Sequence, residues 1–354
     1  MTRESAAQHP VAELLTTRHH PADFTASRAE YTITRLRLLA LGLAVLLPLW
    51  IPVDYWLLNT ADFLVLAGLR LVMAVVAIGM FFYIGGSRRL SVALGGIALL
   101  LLMPAALYVA ARLMLESSNN LLYGYAFFPV LIAALLAVFP PTLLEGAMFG
   151  LPLLLGYGGL ELVLAEASLD PQWLGMLWLL ALVTLVALMT QLSQLRMLLD
   201  LYRRATRDTV TGVFNRRSLV ERLQAEFARW EQHERPLGVL MVRLTALDAI
   251  SREHGAPVAN RLMAQLAEVV GRALRPTDLL GRWNDSSLIA VLPETDDDAA
   301  QRLALRVREV SQLASVTLPA GQTVRGEPRV VCDKPSARER LEDLLQRLES
   351  KLMA

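Results

Sequence analysis

The sequence contains a single cysteine, Cys332, and no marked excess of charge of either sign, with 34 Lys and Arg against 33 Asp and Glu. One thiol excludes an intramolecular disulfide and a cysteine-built metal cluster, and Cys332 is expected to be buried or idle. A net charge of +1 leaves no basic footprint of the kind nucleic-acid binders carry. The adjacent His19 and His20 lack the further ligands a metal site needs. Residues 1–30 hold polar side chains, prolines and His9, with no apolar core ahead of a small-residue cleavage site, so no secretory signal is evident. They read as a mostly disordered tail.

Against these absences stands an apolar excess. Hydrophobic residues make up 55% of the chain and the mean hydropathy is +0.43, above the roughly 45–50% usual for soluble domains. The excess lies before about residue 196, and charge is concentrated after it. Six runs, Leu36–Val53, Phe63–Ile84, Leu90–Leu113, Leu122–Phe139, Leu143–Leu164 and Trp173–Leu195, each approach the length that crosses a bilayer. Arg28, Arg35 and Arg37 precede the first, Arg88 and Arg89 follow the second, and Arg196, Arg203 and Arg204 follow the last. Asp54, Asp62, Glu116, Glu166 and Asp170 mark the opposite loops. The positive-inside rule then places both termini in the cytoplasm. An all-α six-helix transmembrane bundle over 36–195 is the expectation, preceded by a tail over 1–35.

Ionisable residues within spans are costly and point to function or to pairing. Arg70, Arg112 and Glu161 fall toward the outer side, and Glu145 lies near the inner end of span five. Two readings remain. The first three could line one pocket walled by Tyr108, Tyr123, Tyr125 and Tyr157, or they could snorkel beside an interfacial tyrosine belt. The last span runs without Pro or Gly into a stalk over 196–207, where Leu192, Leu195, Leu199 and Tyr202 recur at steps of three and four. Such a stripe suits either a short coiled coil or a helix packed on its own chain.

Beyond the stalk the pattern changes. Leu219, Leu223 and Phe227 suit a helix over 218–230, Leu237–Leu244 a buried strand, and 250–274 a helix broken around Gly255 and Pro257. Two apolar runs, 278–283 and 288–292, flank a polar tip, Asn284-Asp285-Ser286-Ser287, where Asn-Asp tolerates positive φ. Helices over about 297–313 and 337–353 follow, with 315–335 left unpatterned. Strands alternating with helices imply an α/β domain with a central sheet.

The opening of this region, Asp208-Thr-Val-Thr-Gly-Val-Phe-Asn-Arg-Arg217, resembles the D-x-L-T-G-L-x-N-R-R of the GGDEF family, the diguanylate cyclase domains of bacterial cyclic di-GMP signalling. The segment V-L-M-V-R-L-T-A-L-D-A-I-S-R-E-H-G, with Gly255, is similar to the family's strand and D-I-D-H-F-K stretch, and N-D-S-S-L (Asn284 to Leu288) stands where the family has G-G-D-E-F. The resemblance covers nearly all of 204–354 and implies an α/β GGDEF-like domain over 208–354 with a mainly antiparallel sheet. With the six apolar runs, a bacterial family of this kind leads to the expectation of a multi-pass protein of the inner membrane, in contact with membrane lipids.

The same resemblance speaks against catalysis. The family's first metal aspartate falls on Arg243, and its signature carboxylates on Ser286 and Ser287. The signature glycines fall on Asn284 and Asp285, and the guanine-binding Asn and Asp on Ser251 and Asn260. No residue of the sequence falls on the phosphate-binding Lys and Arg after the last helix. No metal site and no cofactor are expected, and Asp248 and Asp285 are the only nearby acids. One set survives: Arg275-Pro-Thr-Asp278 stands at the family's R-x-x-D inhibitory site, with Arg302 and Arg306 on the following helix, although Arg282–Asp285 and Arg340–Asp343 fit the short pattern too. Arginine can pair with phosphate through two N–H groups and stack on guanine, and Asp278 can accept from a guanine edge. The implied function is a membrane-anchored, inactive cyclic di-GMP receptor, expected as a homodimer relaying to a protein partner and not to nucleic acid. An atypical active cyclase and a nucleotide-free dimerisation scaffold are the alternatives.

Overall fold

The computed structural model describes residues 10–114, 125, 127–164, 171–233, 235–319 and 321–353. His9, Glu116, Tyr123, Glu166 and Asp170, named above, lie outside them. The chain forms two compact units, Gln8–Asp200 and one from Leu201 onward.

The first unit is helical: α1 (Pro10–Leu15), α2 (Ala22–Leu49), α3 (Ile51–Leu57), α4 (Thr60–Tyr83), α5 (Leu90–Met114), α6 (Phe128–Leu136), α7 (Leu143–Leu164) and the start of α8 (Pro171–Thr206). Among the described residues, five helical stretches are long and apolar enough to cross a membrane: Ala22–Leu57, Thr60–Tyr83, Leu90–Met114, Leu143–Leu164 and Trp173–Thr206. Of the fourth expected span, Leu122–Phe139, the described helix is α6, of 9 residues. Its last turn is closed by side chains: Gln191 and Gln194 donate to the carbonyls of Leu136 and Ala137 at 2.7 and 2.8 Å, and Arg35 donates to that of Val138. Orphan helix-end carbonyls are thereby satisfied where lipid cannot do it. Residues 10–30 are not the disordered tail expected: α1, a 3-10 turn over Thr17–His19 and the start of α2 at Ala22 lie within them, and Arg28, at 2% exposure, is anchored by Glu145 at 2.9 Å.

The single pocket that was one of two readings of Arg70, Arg112 and Glu161 is instead two separate clusters. Arg70 donates to Asp54 at 2.7 Å and to the Tyr125 hydroxyl at 3.0 Å. Arg112 donates to Glu161 at 3.0 Å, and the Tyr108 hydroxyl donates to the same carboxylate at 2.6 Å. Each guanidinium meets its own carboxylate because an unneutralised charge is the costlier alternative in an apolar bundle. Along α8, Leu195 and Leu199 are already buried within one chain and Leu192 and Tyr202 are half-buried. The stripe is therefore largely covered without a second copy.

The second unit contains the end of α8, then α9 (Arg216–His233), β1 (Leu237–Leu244), α10 (Leu247–His254), α11 (Ala256–Ala273), β2 (Leu279–Arg282), β3 (Ser287–Pro293), α12 (Asp297–Ser311), β4 (Ser315–Thr317), β5 (Thr323–Arg325), β6 (Pro328–Asp333) and α13 (Leu341–Met353). The four-stranded sheet has the order β2-β3-β1-β6, each neighbouring pair antiparallel, and β4 and β5 form a separate hairpin. Strand alternation feeds two cores. Leu240, Val242 and Leu244 of β1 join the core built on α10, α11 and α12. Leu237, Val239 and Met241 join α9 and α13 on the other face. Gly255 (φ 87°) separates α10 from α11 as its sequence suggested, since that left-handed conformation suits glycine. Cys332 is buried, and desolvation pushes its thiol up to about 12.

Candidate functional site

The opening motif proves to be a latch. Asp208 accepts from the backbone N–H groups of Val210 and Thr211 and from the Thr211 hydroxyl, and Gly212 (φ 69°) completes the turn. Phe214 then pairs with the edge of β2: its N–H donates to Leu280 at 3.0 Å and its carbonyl accepts from Arg282 at 2.7 Å. Asn215 caps α9 by accepting from Ser218 N–H at 3.0 Å. Close approach at Gly281 matters here, because a Cβ would stand 2.8 Å from that of Leu219 on α9.

Arg282 closes the latch by donating to Asp208 at 3.1 Å. Burial by itself raises the Asp208 carboxyl, but hydrogen bonds from Thr211 and the charge of Arg282 outweigh it and hold the group below the usual carboxylate range. A carboxylate depressed on folding stabilises the native state above its unfolded value of about 3.9 and loses that contribution as pH falls through the folded value. Hydrogen exchange of the hairpin is therefore expected to accelerate, after correction for intrinsic rates, as pH falls below about 4. In Asp208→Asn this part of the acid dependence should be absent.

At the hairpin tip, neither Asn284 nor Asp285 adopts the positive φ that the sequence suggested. Side chains shape the turn instead. Asn284 Oδ1 accepts from Ser286 N–H at 3.0 Å, while Arg282 donates to the carbonyls of Asn284 and Asp285, each at 3.2 Å. Arg243 sits across from Ser287 on β3 and from Arg329 on β6. Its Nη1 approaches Met353 Sδ at 3.1 Å, and Arg329 donates to the Leu352 carbonyl at 3.3 Å. Among the described residues no carboxylate pairs with either arginine, and Arg243 Nε is buried without a partner. Hard divalent cations require several oxygen ligands. Two guanidiniums beside Ser287 do not fit one, and no group of three or more His, Cys, Asp or Glu converges among the described residues. Ser251 is half-buried on α10 and Asn260 exposed on α11.

Across the domain, α11 ends at Ala273 and the Arg275–Asp278 turn leads into β2. Asp278, expected to face a guanine, is 2% exposed and accepts the backbone N–H of Arg275 at 2.7 Å. It holds the turn, leaving the Arg275 side chain exposed. Arg306 of α12 donates to the Ala273 carbonyl, two residues before Arg275, where a cation also suits the negative end of α11. Arg302 lies one turn earlier on α12, also exposed. The three R-x-x-D matches are thus unequal. Arg282 is engaged by Asp208 and the tip, and Arg340 leans on Asp343 at 3.4 Å. The guanidinium of Arg275, like that of Arg302, is engaged by no described residue. Sequence spacing alone ranked none of the three above the others.

The family model described as "Diguanylate cyclase, GGDEF domain" matches residues 205–354. The probable diguanylate cyclase DgcT of Escherichia coli K12 is 28% identical over 105 residues, 30% of this chain and 23% of that protein. Diguanylate cyclase DgcP of Pseudomonas aeruginosa is 27% identical over 111 residues, 31% of this chain and 16% of that protein. The matched stretch therefore spans less than a quarter of the length of either relative. The coiled coil and GGDEF domain of DgcB from Caulobacter crescentus, solved in complex with c-di-GMP, superposes with a TM-score of 0.44 at 16% identity over 48% of this chain and 91% of that one. Residues 205–354 are thus a GGDEF domain, related to the diguanylate cyclases and preceded by helices apolar enough to span a membrane.

Proposed function

We propose that this protein binds cyclic di-GMP without making it and relays its level to a protein partner. The nucleotide sits, as an intercalated dimer, against Arg275 of one subunit and Arg302 and Arg306 of the same or a second subunit, with Asp278 fixing the turn that presents Arg275. One observation carries this reading: of three R-x-x-D sequences, only the one beside α12 has an arginine side chain that no described residue engages. The exposed guanidiniums of Arg275 and Arg302, with Arg306 bonded to the carbonyl two residues before Arg275, are chemically suited to phosphate and to a guanine face. The protein is read as a homodimer in the bacterial inner membrane, and the arginines that flank its spans support the reading that both termini are cytoplasmic. Its parts are an N-terminal segment over 1–35, the spans over 36–195, a stalk over 196–207 and the receptor domain over 208–354.

The named cyclases among its relatives favour a second reading, an active cyclase. Arg243 argues against it. A guanidinium in the place of a metal carboxylate repels the cation that phosphoryl chemistry on GTP needs. The full chain incubated with GTP and magnesium or manganese is expected to yield no cyclic di-GMP. Ser286→Asp should not create activity either, because Arg243 remains. Turnover by the unmodified chain would replace the receptor with the cyclase.

A further inference from the structure

We infer that the membrane half carries a binding site for an uncharged amphiphile, a short acyl chain headed by a carbonyl acceptor. Asp54, Arg70 and Tyr125 are 2%, 3% and 5% exposed, and all three line a cavity of about 260 Å³. They form a closed triangle: Arg70 donates to Asp54 at 2.7 Å and to Tyr125 at 3.0 Å, and Tyr125 donates to Asp54 at 2.8 Å. The remaining wall is apolar, including Leu43, Leu47, Trp50, Phe128 and Leu131.

Size and charge select the ligand class. At the ~30 Å³ that each water fills in the liquid, the cavity takes roughly ten heavy atoms. Asp54 already neutralises Arg70, so an anionic head would place two carboxylates on one guanidinium in a low-dielectric bundle. Arg70 has five N–H groups, and among the described residues only Asp54 and Tyr125 engage its guanidinium. A neutral carbonyl can accept from a remaining N–H and adds no charge, and its chain covers the leucines. An alkane leaves those donors unmet. The same chemistry can come from a free amphiphile or from the ester of a bilayer lipid.

The test uses the full chain in nanodiscs of ether-linked phosphatidylcholine, which has no ester carbonyl, and a diazirine-bearing methyl octanoate as photolabel. Saturable labelling within residues 43–58, mapped by mass spectrometry, is expected. Methyl octanoate should compete at least tenfold better than octanoate or octane. Leu47→Trp, which fills the cavity and leaves the triangle intact, should cut labelling at least tenfold, and Leu131→Trp does the same from another wall if the first variant fails to fold. In nanodiscs of ester-linked lipid, unchanged labelling identifies a free amphiphile as the occupant, and reduced labelling the lipid ester; both retain the site. Equal competition by octane or octanoate, or undiminished labelling in both tryptophan variants, overturns the inference.

Discussion

Arg275→Ala is expected to weaken cyclic di-GMP binding by about 30-fold or more, the loss that accompanies removal of a binding hot spot of ~2 kcal/mol or above. The side chain is exposed, and no described residue satisfies its guanidinium, so in the free protein its removal breaks nothing. The turn survives because Asp278 bonds the backbone N–H of residue 275, which any side chain supplies. Folding and binding are therefore separable at this position. Arg275→Lys should lose most of the affinity as well, since an ammonium keeps the charge but neither the two-pronged donor geometry nor the flat face. Equilibrium dialysis against radiolabelled nucleotide reads both variants. Asp278→Ala should lose binding by a different route, with loss of order in the turn. Wild-type affinity in Arg275→Ala would remove this turn from the site.

Arg70→Ala is expected to destabilise the membrane half by about 3–5 kcal/mol, because it strands a buried carboxylate. Asp54 is 2% exposed, and among the described residues only Arg70 and Tyr125 pair with its carboxylate. Exposed pairs such as Arg217–Glu221 behave differently: both side chains are more than half exposed, and such pairs contribute at most a few tenths of a kcal/mol. Replacing both partners, Asp54→Leu with Arg70→Leu, should recover most of the lost stability, since the cost of burying two charges disappears with them. Thermal unfolding in nanodiscs decides between these outcomes. A double variant as unstable as Arg70→Ala would show that the pair does more than neutralise itself.

Much of the fold was legible. Leu237–Leu244 reads as a buried strand because a run that is apolar but for Gly238 and Arg243 fits a strand covered on both faces, and β1 has those limits. The break at Gly255 was visible because glycine and proline stop a helix for separate reasons. Residues 315–335 were not legible: β4 and β5 have 3 residues each, too short for alternation to register, and β6, Pro-Arg-Val-Val-Cys-Asp, opens on a proline and does not alternate. The membrane half hid its pairings for a related reason. Asp54 sits at the end of an apolar run and reads as a loop acid, yet its partner is Arg70, on a different helix. Sequence places charges along a line, whereas helix packing decides which of them meet.

The candidate site was legible in its residues but not in their roles. Arg275, Asp278, Arg302 and Arg306 came from position in a family pattern. That pattern could not reveal that Asp278 turns inward to hold the loop. It also gave no hint of Arg329, which stands beside Arg243 only because β6 pairs with β1. Strand register between segments this far apart is a property of the fold, and no local signal carries it.

Whether this GGDEF domain is a receptor is tested most directly by calorimetric titration of cyclic di-GMP into the unmodified full chain. Saturable binding, micromolar or tighter, with the stoichiometry of an intercalated dimer, is the predicted result. An absence of binding heat across temperatures would contradict it and leave a scaffold whose signal must enter through the membrane half.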